Sequence, residues 1–380
     1  MYGAELIEAL RRRDPSLKFF GAGGERMRAA GCEIVVDAKD LAVVGITEIV
    51  SHLPKILGLY EKLIRAADER KPDVAVVIDS PAFNWRVARQ MRKRGIPVVY
   101  YVCPQFWAWR QGRVRLLRKY VNKALVIFPF EEKFYRDRGV DASFVGHPLA
   151  NLAKPQITRE AFATQYGIDP TKLWITLMPG SRRKEVKMNL PTILEAAARL
   201  GSNYEFLLPV ARTLEPKFLQ ELIEAQQAAS LHKSPVIHLV PEALAALHHS
   251  RAGIIASGTA TVEAALMGTP FVMVYRVSPL TYALGRPRVK LSHFAMVNLI
   301  ATEEVVPELV QHDFTADNIL RELNKIIPDG PRREQMLEKL AGVVRALRFG
   351  GTNDTATPAE RAAERILALV DQDKKQFGTL

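Results

Sequence analysis

Strand-length apolar runs alternate with segments of helical period along almost the whole of this 380-residue chain. βαβ units need that alternation, because helices cover both faces of a parallel sheet and leave its strands uniformly apolar. In the first half, strands are expected near 17–20, 74–78, 98–102, 124–127 and 143–145, with helices near 25–30, 47–68, 83–94, 113–120 and 131–138. The proline-marked stretch 148–172 reads as a connection, and a second alternation follows it. Its strands are expected near 174–178, 205–209, 236–239, 253–256 and 271–275. Near the end, Thr357-Pro358-Ala359-Glu360 combines a capping box with proline at the first helical position, so a helix starts there. It is expected to run to about Asp373, with Ala362, Ile366, Leu369 and Val370 on its apolar face. No repeat of solenoid period is present. The pattern predicts an α/β chain with two doubly wound, Rossmann-like parallel-sheet domains facing a cleft. Ligands are expected in that cleft, beyond the carboxyl ends of the strands. The domain bounds expected are 1–160 and 161–345, with a helical segment 346–380 packing back on the first domain.

Composition narrows the partners. Lys plus Arg outnumber Asp plus Glu by 53 to 41, a formal charge of +12, which suits nucleic acid, an acidic membrane face or a phosphorylated substrate. Cys32 and Cys103 are the only cysteines, too few for a disulfide framework or a CxxC zinc site, and they point to a reducing compartment. No apolar run approaches the roughly 18 residues of a membrane span. The arginines of the first segment follow its apolar stretch, the reverse of a secretory signal. A soluble or peripheral intracellular protein is the expectation.

Chemistry concentrates where strands end. At Ala256-Ser257-Gly258-Thr259-Ala260-Thr261-Val262-Glu263 an apolar strand gives way to small residues and then a helix. The free N–H groups and positive dipole end of that helix suit a phosphate. Gly258 allows close approach, Ser257 and Thr259 add hydroxyls, and Glu263 lies one turn on, within reach of ribose hydroxyls. A capped helix with a solvated Glu is the plainer alternative. Pro179-Gly180-Ser181-Arg182-Arg183-Lys184-Glu185 also follows a strand. An arginine there grips two phosphate oxygens with its planar fork, unless the segment is simply a solvated basic turn. Two such loops in one half-chain favour a diphosphate.

In the first half, Ile78-Asp79-Ser80-Pro81 sets a carboxylate at a strand end, placed to act as general base or merely as a turn aspartate. The stretch Pro104-Gln105-Phe106-Trp107-Ala108-Trp109-Arg110 offers Trp107 and Trp109 as flat faces for sugar or acyl chains, with Arg110 for phosphate. Core packing is the commoner fate of such aromatics. His147 in Gly146-His147-Pro148 reads as structural. The glycines of Phe20-Gly21-Ala22-Gly23-Gly24-Glu25 lack the third glycine and the ribose-binding acid of a dinucleotide fingerprint, and that reading is rejected. Along 41–64, Ile46, Ile49, Val50 and Leu53 share one helical face, and Ile56, Leu57, Tyr60, Leu63 and Ile64 another beyond Pro54. Lys55, Lys62 and Arg65 lie among them, a combination that suits core packing or a membrane- or acyl-contacting surface. The basic stretch Arg286-Pro287-Arg288-Val289-Lys290 suits anionic headgroups.

These segments, read together, resemble one family. LAVVGITEIV, IDSPAFN, PQFWAWR, FPFEEKFY, VGHPLA, MPGSRRKEV, ASGTATVEAAL, TPFVMVYR and VNLIATEEVVPELVQ stand in the order and spacing of the bacterial lipid-A-disaccharide synthases, from Tyr2 to about Leu369. The resemblance implies a glycosyltransferase B fold with UDP held by the C-terminal domain. The activity it implies is inverting transfer of 2,3-diacylglucosamine from UDP-2,3-diacylglucosamine to 2,3-diacylglucosamine 1-phosphate (lipid X). The products are a β-1,6 disaccharide and UDP. No metal or further cofactor and no nucleic acid are implied, and the place of work is the cytoplasmic face of the inner membrane, peripherally bound. Asp79 becomes the essential carboxylate and Arg182 the diphosphate clamp, with Gly180 and Ser181 in the same loop. Ser257, Gly258, Thr259 and Glu263 contact phosphate and ribose, Asn298 faces the nucleotide, and Trp107, Trp109 and Arg110 serve acceptor or acyl chain.

The chain departs from the family at two places. Ala82 stands where the family has a second acid, and Met1-Tyr2 stand where a strand and a GEASGD-like loop precede YGAELI. The second departure implies an upstream in-frame extension, because Tyr2–Leu10 reads as the helix that follows such a strand. Two other readings share these motifs: a UDP-sugar epimerase of the same fold, and a non-catalytic UDP- or lipid-binding form.

Overall fold

The computed structural model describes all residues except 1, 42–45, 230–234, 286–290, 350–354 and 378–380. It gives the backbone alone for 41, 46–53, 151, 229, 284, 373–374 and 376–377. The chain divides into two compact units, Met1–Pro148 with Leu347–Leu380, and Leu149–Ala346.

Among the described residues the first unit holds six strands: β1 (Phe19–Gly23), β2 (Cys32–Asp37), β3 (Ala75–Ile78), β4 (Val98–Tyr101), β5 (Lys123–Val126) and β6 (Ala142–Phe144). β1 and β2 form a parallel pair, and β3-β4-β5-β6 a parallel sheet in chain order. β2 is absent from the sequence expectation; its Glu33 interrupts the apolar run that marks the other strands. Every residue of β4 is completely buried, as a central strand covered on both faces requires. Val98, Tyr100, Ala124 and Val126 face one core with Val87, Ala88 and Met91 of the helix Pro81–Lys93.

The helix Tyr2–Arg13 buries Leu6, Ile7 and Leu10 and packs along the last helix, Pro358–Phe377. That last helix opens as the sequence predicts. Thr357 Oγ1 accepts the Glu360 N–H at 3.2 Å, and the Glu360 carboxylate accepts the Thr357 N–H at 2.7 Å. Ala362 and Ile366 are buried beneath it.

The second unit carries β7 (Leu173–Met178), β8 (Tyr204–Pro209), β9 (Ile237–Val240), β10 (Ala252–Ala256), β11 (Phe271–Tyr275) and β12 (Glu308–Val310). All are parallel, in the order β12-β11-β10-β7-β8-β9. The chain winds outward from β7 through β8 to β9, then returns to place β10 on the other side of β7. That reversal makes the β7–β10 boundary the switch point of the sheet, where open α/β sheets bind ligands. The helix Arg159–Tyr166, inside the stretch read as a connection, belongs to this unit. Its Phe162 is fully buried against Trp174.

Candidate functional site

The two glycine-bearing loops of the second unit leave that switch point side by side. Ile255 of β10 pairs with Met178 of β7, so Pro179–Glu185 and Ser257–Glu263 emerge from the same edge on adjacent strands. Each runs directly into a helix, Arg183–Leu200 and Ala260–Met267.

In the first loop Gly180 has φ 125°, and a Cβ there would lie 2.8 Å from the Glu185 Cβ, so only glycine fits. The Glu185 carboxylate accepts the N–H groups of Ser181 at 3.2 Å and Arg182 at 3.3 Å and pairs with the Arg182 guanidinium. The Ser181 carbonyl accepts the Thr213 hydroxyl. The Ser181 and Arg182 N–H groups are therefore taken by Glu185, and the Arg182 side chain of this loop stands 79% exposed.

The second loop is arranged the other way. Ser257 is pinned at both ends: its N–H donates to Val274 O at 3.0 Å and its hydroxyl to Phe294 O at 2.8 Å. Ser257 thus anchors the loop instead of lending its proton to a phosphate. Gly258 has φ 142° with open space where a Cβ would stand. The N–H groups of Gly258, Thr259 and Ala260 have no acceptor among the described residues. Three free donors at the positive end of a helix make an anion cradle. The Glu263 carboxylate, one turn further on, has no hydrogen bond or ion pair among the described residues, and burial pushes its pKa above the ordinary range.

Asn298 sits elsewhere than the resemblance implied. It is completely buried; its Oδ1 accepts the N–H groups of Val305 and Val306 at 2.9 and 3.0 Å, and its Nδ2 donates to Val306 O and Glu308. Its amide is fully engaged in hydrogen bonds within the fold.

In the first unit Asp79 closes β3 in the left-handed region, φ 49°, followed by Ser80 at φ 44°. Such backbone persists in ordinary residues only when neighbours hold it. Three do: Asn84 Nδ2 donates to Asp79 O at 2.6 Å and to Ile78 O at 2.8 Å, the Tyr100 hydroxyl donates to Asp79 O at 2.7 Å, and the Asp79 N–H donates to Tyr101 O. The carboxylate is exposed and without hydrogen bond or ion pair among the described residues. Asn84 and Tyr100 escaped the sequence reading because nothing in their spacing marks a partner of Asp79.

Trp107 requires a correction. It is 5% exposed, and its indole N–H donates to Glu131 Oε1 at 2.8 Å, so it is core and not a platform for sugar. Glu131, 1% exposed, also accepts the N–H groups of Ile127 and Phe128. Trp109 does face solvent at 51% exposure, with the Arg110 guanidinium 4.0 Å from its ring centre. His147 is buried against Phe128 and its pKa is held down at about 4 by burial. Among the described residues no three His, Cys, Asp or Glu side chains gather as a metal site.

Comparison with known proteins gives this geometry its context. The family model of lipid-A-disaccharide synthetase matches residues 1–359. The chain is similar to the lipid-A-disaccharide synthase of Koribacter versatilis, 55% identical over 98% of this chain and 96% of the relative. Among solved structures it is similar to a UDP-GlcNAc 2-epimerase from Neisseria meningitidis bound to UDP-GlcNAc. That likeness has a TM-score of 0.62 at 13% identity, over 97% of this chain and 95% of that one. The glycotransferase of kitacinnamycin superposes with a TM-score of 0.60 at 17% identity, over 97% and 96%. At such identities the structural likenesses speak for the fold alone.

Proposed function

The chain belongs to the lipid-A-disaccharide synthase family, and from that premise we propose how its residues divide the reaction. The protein is a UDP-sugar-dependent glycosyltransferase of glycosyltransferase B fold. It joins 2,3-diacylglucosamine carried on UDP to 2,3-diacylglucosamine 1-phosphate, giving the β-1,6-linked disaccharide 1-phosphate and UDP. Epimerases share its fold, but the high sequence identity lies with the synthases.

UDP lies across the β7–β10 switch point in this reading. The free N–H groups of Gly258, Thr259 and Ala260 take the diphosphate, the Arg182 fork closes over it, and Glu263 accepts from ribose hydroxyls. Asp79 takes the proton of the acceptor 6-hydroxyl. The resulting oxygen attacks C1 of the donor sugar from the face opposite UDP, the C1–O bond breaks, and UDP departs with the electron pair. Inversion at C1 follows from that single displacement. Arg182 and the helix end stabilise charge growing on the leaving diphosphate, and Trp109 and Arg110 remain as surface for the acceptor. We place the reaction at the cytoplasmic face of the inner membrane, because both sugars carry acyl chains. No helix among the described residues is long and apolar enough to cross a membrane, so attachment is peripheral in this reading.

The supporting observation is the adjacency of an exposed arginine and three unused helix N–H groups on neighbouring strand ends. Two variants test the division. Asp79→Ala is expected to cut turnover about 10²–10⁴-fold with UDP affinity nearly intact. Arg182→Ala is expected to weaken UDP binding roughly tenfold to a hundredfold, only partly restored by lysine, which lacks the fork. Near-normal turnover in the first, or unchanged calorimetric affinity in the second, refutes that residue's role.

A further inference from the structure

Glu308 opens β12, where it pairs with Met273 of β11, and its carboxylate gathers donors from one turn of chain. The Phe294 N–H lies 3.0 and 2.9 Å from its two oxygens; Oε1 also accepts the Ala295 N–H at 2.9 Å and Asn298 Nδ2 at 2.8 Å. His293 Nδ1 stands 3.7 Å from Oε1, and the Glu308 side chain is only 13% exposed. A carboxylate accepts at all its lone pairs and donates at none, so it alone among side chains of this length satisfies so many N–H groups at once. The turn it holds matters because of what lies on its other side. The Phe294 carbonyl accepts the Ser257 hydroxyl, and the Phe294 ring stacks on Tyr275 with centroids 5.8 Å apart. A continuous path therefore runs from Glu308 through the Phe294 peptide to Ser257, the residue preceding the three unused N–H groups.

We infer that Glu308, with Asn298 behind it, is the positioning residue of the diphosphate cradle. It fixes the Phe294 carbonyl, the carbonyl fixes the Ser257 side chain, and the fixed serine aims the N–H groups of Gly258, Thr259 and Ala260. None of this touches the ligand. The inference rests on the reading that this loop holds UDP.

UDP affinity measured by calorimetry in Glu308→Gln, Ser257→Ala and the double variant tests it. A glutamine turns an N–H toward the N–H groups that the carboxylate accepted, so the turn loses its anchor. Each single variant is expected to bind UDP about tenfold more weakly, and the double variant no worse than the weaker single one, because both break the same path. A purely structural role for Glu308 lowers thermal stability without that non-additivity in UDP affinity. Should Glu308→Gln fail to fold, Ser257→Ala alone decides, since it deletes one hydroxyl and leaves the Glu308 turn intact. Unchanged UDP affinity in Ser257→Ala, or independent multiplying losses in the double variant, overturns the inference. Gly258→Ala separates the two levels. If it abolishes UDP binding while Ser257→Ala does not, positioning fails and the loop reading stands; if neither matters, the loop reading itself has failed.

Discussion

Glu131 is an ionisable side chain 1% exposed beneath Trp107, and its three N–H donors do not fully replace water. Burial outweighs them and pushes its pKa up from 4.5 to about 7. Between those values the folded protein holds a proton that the unfolded chain has released. Stability therefore falls as pH rises from about 4.5 through about 7, by roughly 3 kcal/mol for a shift of this size. His147, whose pKa falls from 6.5 to about 4 through burial, acts with the opposite sign. There the unfolded chain binds the extra proton, so its contribution to stability grows as pH rises from 4 to 6.5. The two slopes oppose one another across most of the same window, so a melt of the natural protein does not isolate either. Substitution separates them. Compared with Glu131→Gln, which cannot ionise, the natural protein is expected to lose melting temperature steadily from pH 4.5 to 7. Parallel melting curves for the two proteins across that range contradict the assignment.

At the scale of elements, the last helix shows how a local signal becomes a long-range tie. Thr357 and Glu360 cap one another, and Glu360 also reaches Arg12 of the first helix at 3.2 Å. Thr357→Ala removes the cap hydroxyl at a cost of about 1 kcal/mol, which should lower the melting temperature of this unit by roughly 2–4 °C. No change in a calorimetric scan means the cap contributes nothing measurable. Elements of this kind were legible because chemistry and position coincide in sequence: a capping box before an apolar face, or five unbroken apolar residues in Phe271–Tyr275. β12 was not, being three residues long with an acid at its head, too short to display a period. The helix expected near 47–68 runs from Ile46 to Arg70 and, as expected, continues through Pro54. The site shows the same division. Glycine–helix loops announce themselves, because φ and free N–H groups dictate residue type. Asn84, Tyr100 and Glu308 act through contacts 5 to 21 positions away, and no spacing rule exposes those.

For the molecule as a whole, a charge of +12 must act together with apolar side chains if acylated substrates are met at an anionic bilayer. The helix Ile46–Arg70 was expected to carry one apolar face before Pro54 and another beyond it, and the described side chains of the second face divide. Ile64 is 9% exposed, and Tyr60 and Leu63 pack on the first unit's core, whereas Leu57 is 50% exposed. Ile46, Ile49, Val50 and Leu53 lie outside the described side chains, as does the whole basic stretch Arg286–Lys290. Leu63 is therefore a stability residue, and among the described side chains of this unit Leu57 and Trp109 are the large apolar ones exposed to solvent, suited to a membrane. Trp109 carries Arg110 over its ring, which pairs an apolar plane with a cation at one point, as headgroup contact requires. Replacing Leu57 and Trp109 together by serine removes surface that enters the bilayer only in part, about 1.4 kcal/mol for the pair, or roughly tenfold in vesicle partitioning. The double variant should keep the natural melting temperature, since neither side chain is core, and should co-sediment about tenfold less with anionic vesicles. Raising the salt should weaken both proteins in parallel, because screening acts on the charges that remain. Leu63→Ser should instead lower the melting temperature. A folded double variant that binds vesicles undiminished removes Leu57 and Trp109 from the membrane-facing surface and leaves attachment to the basic charge alone.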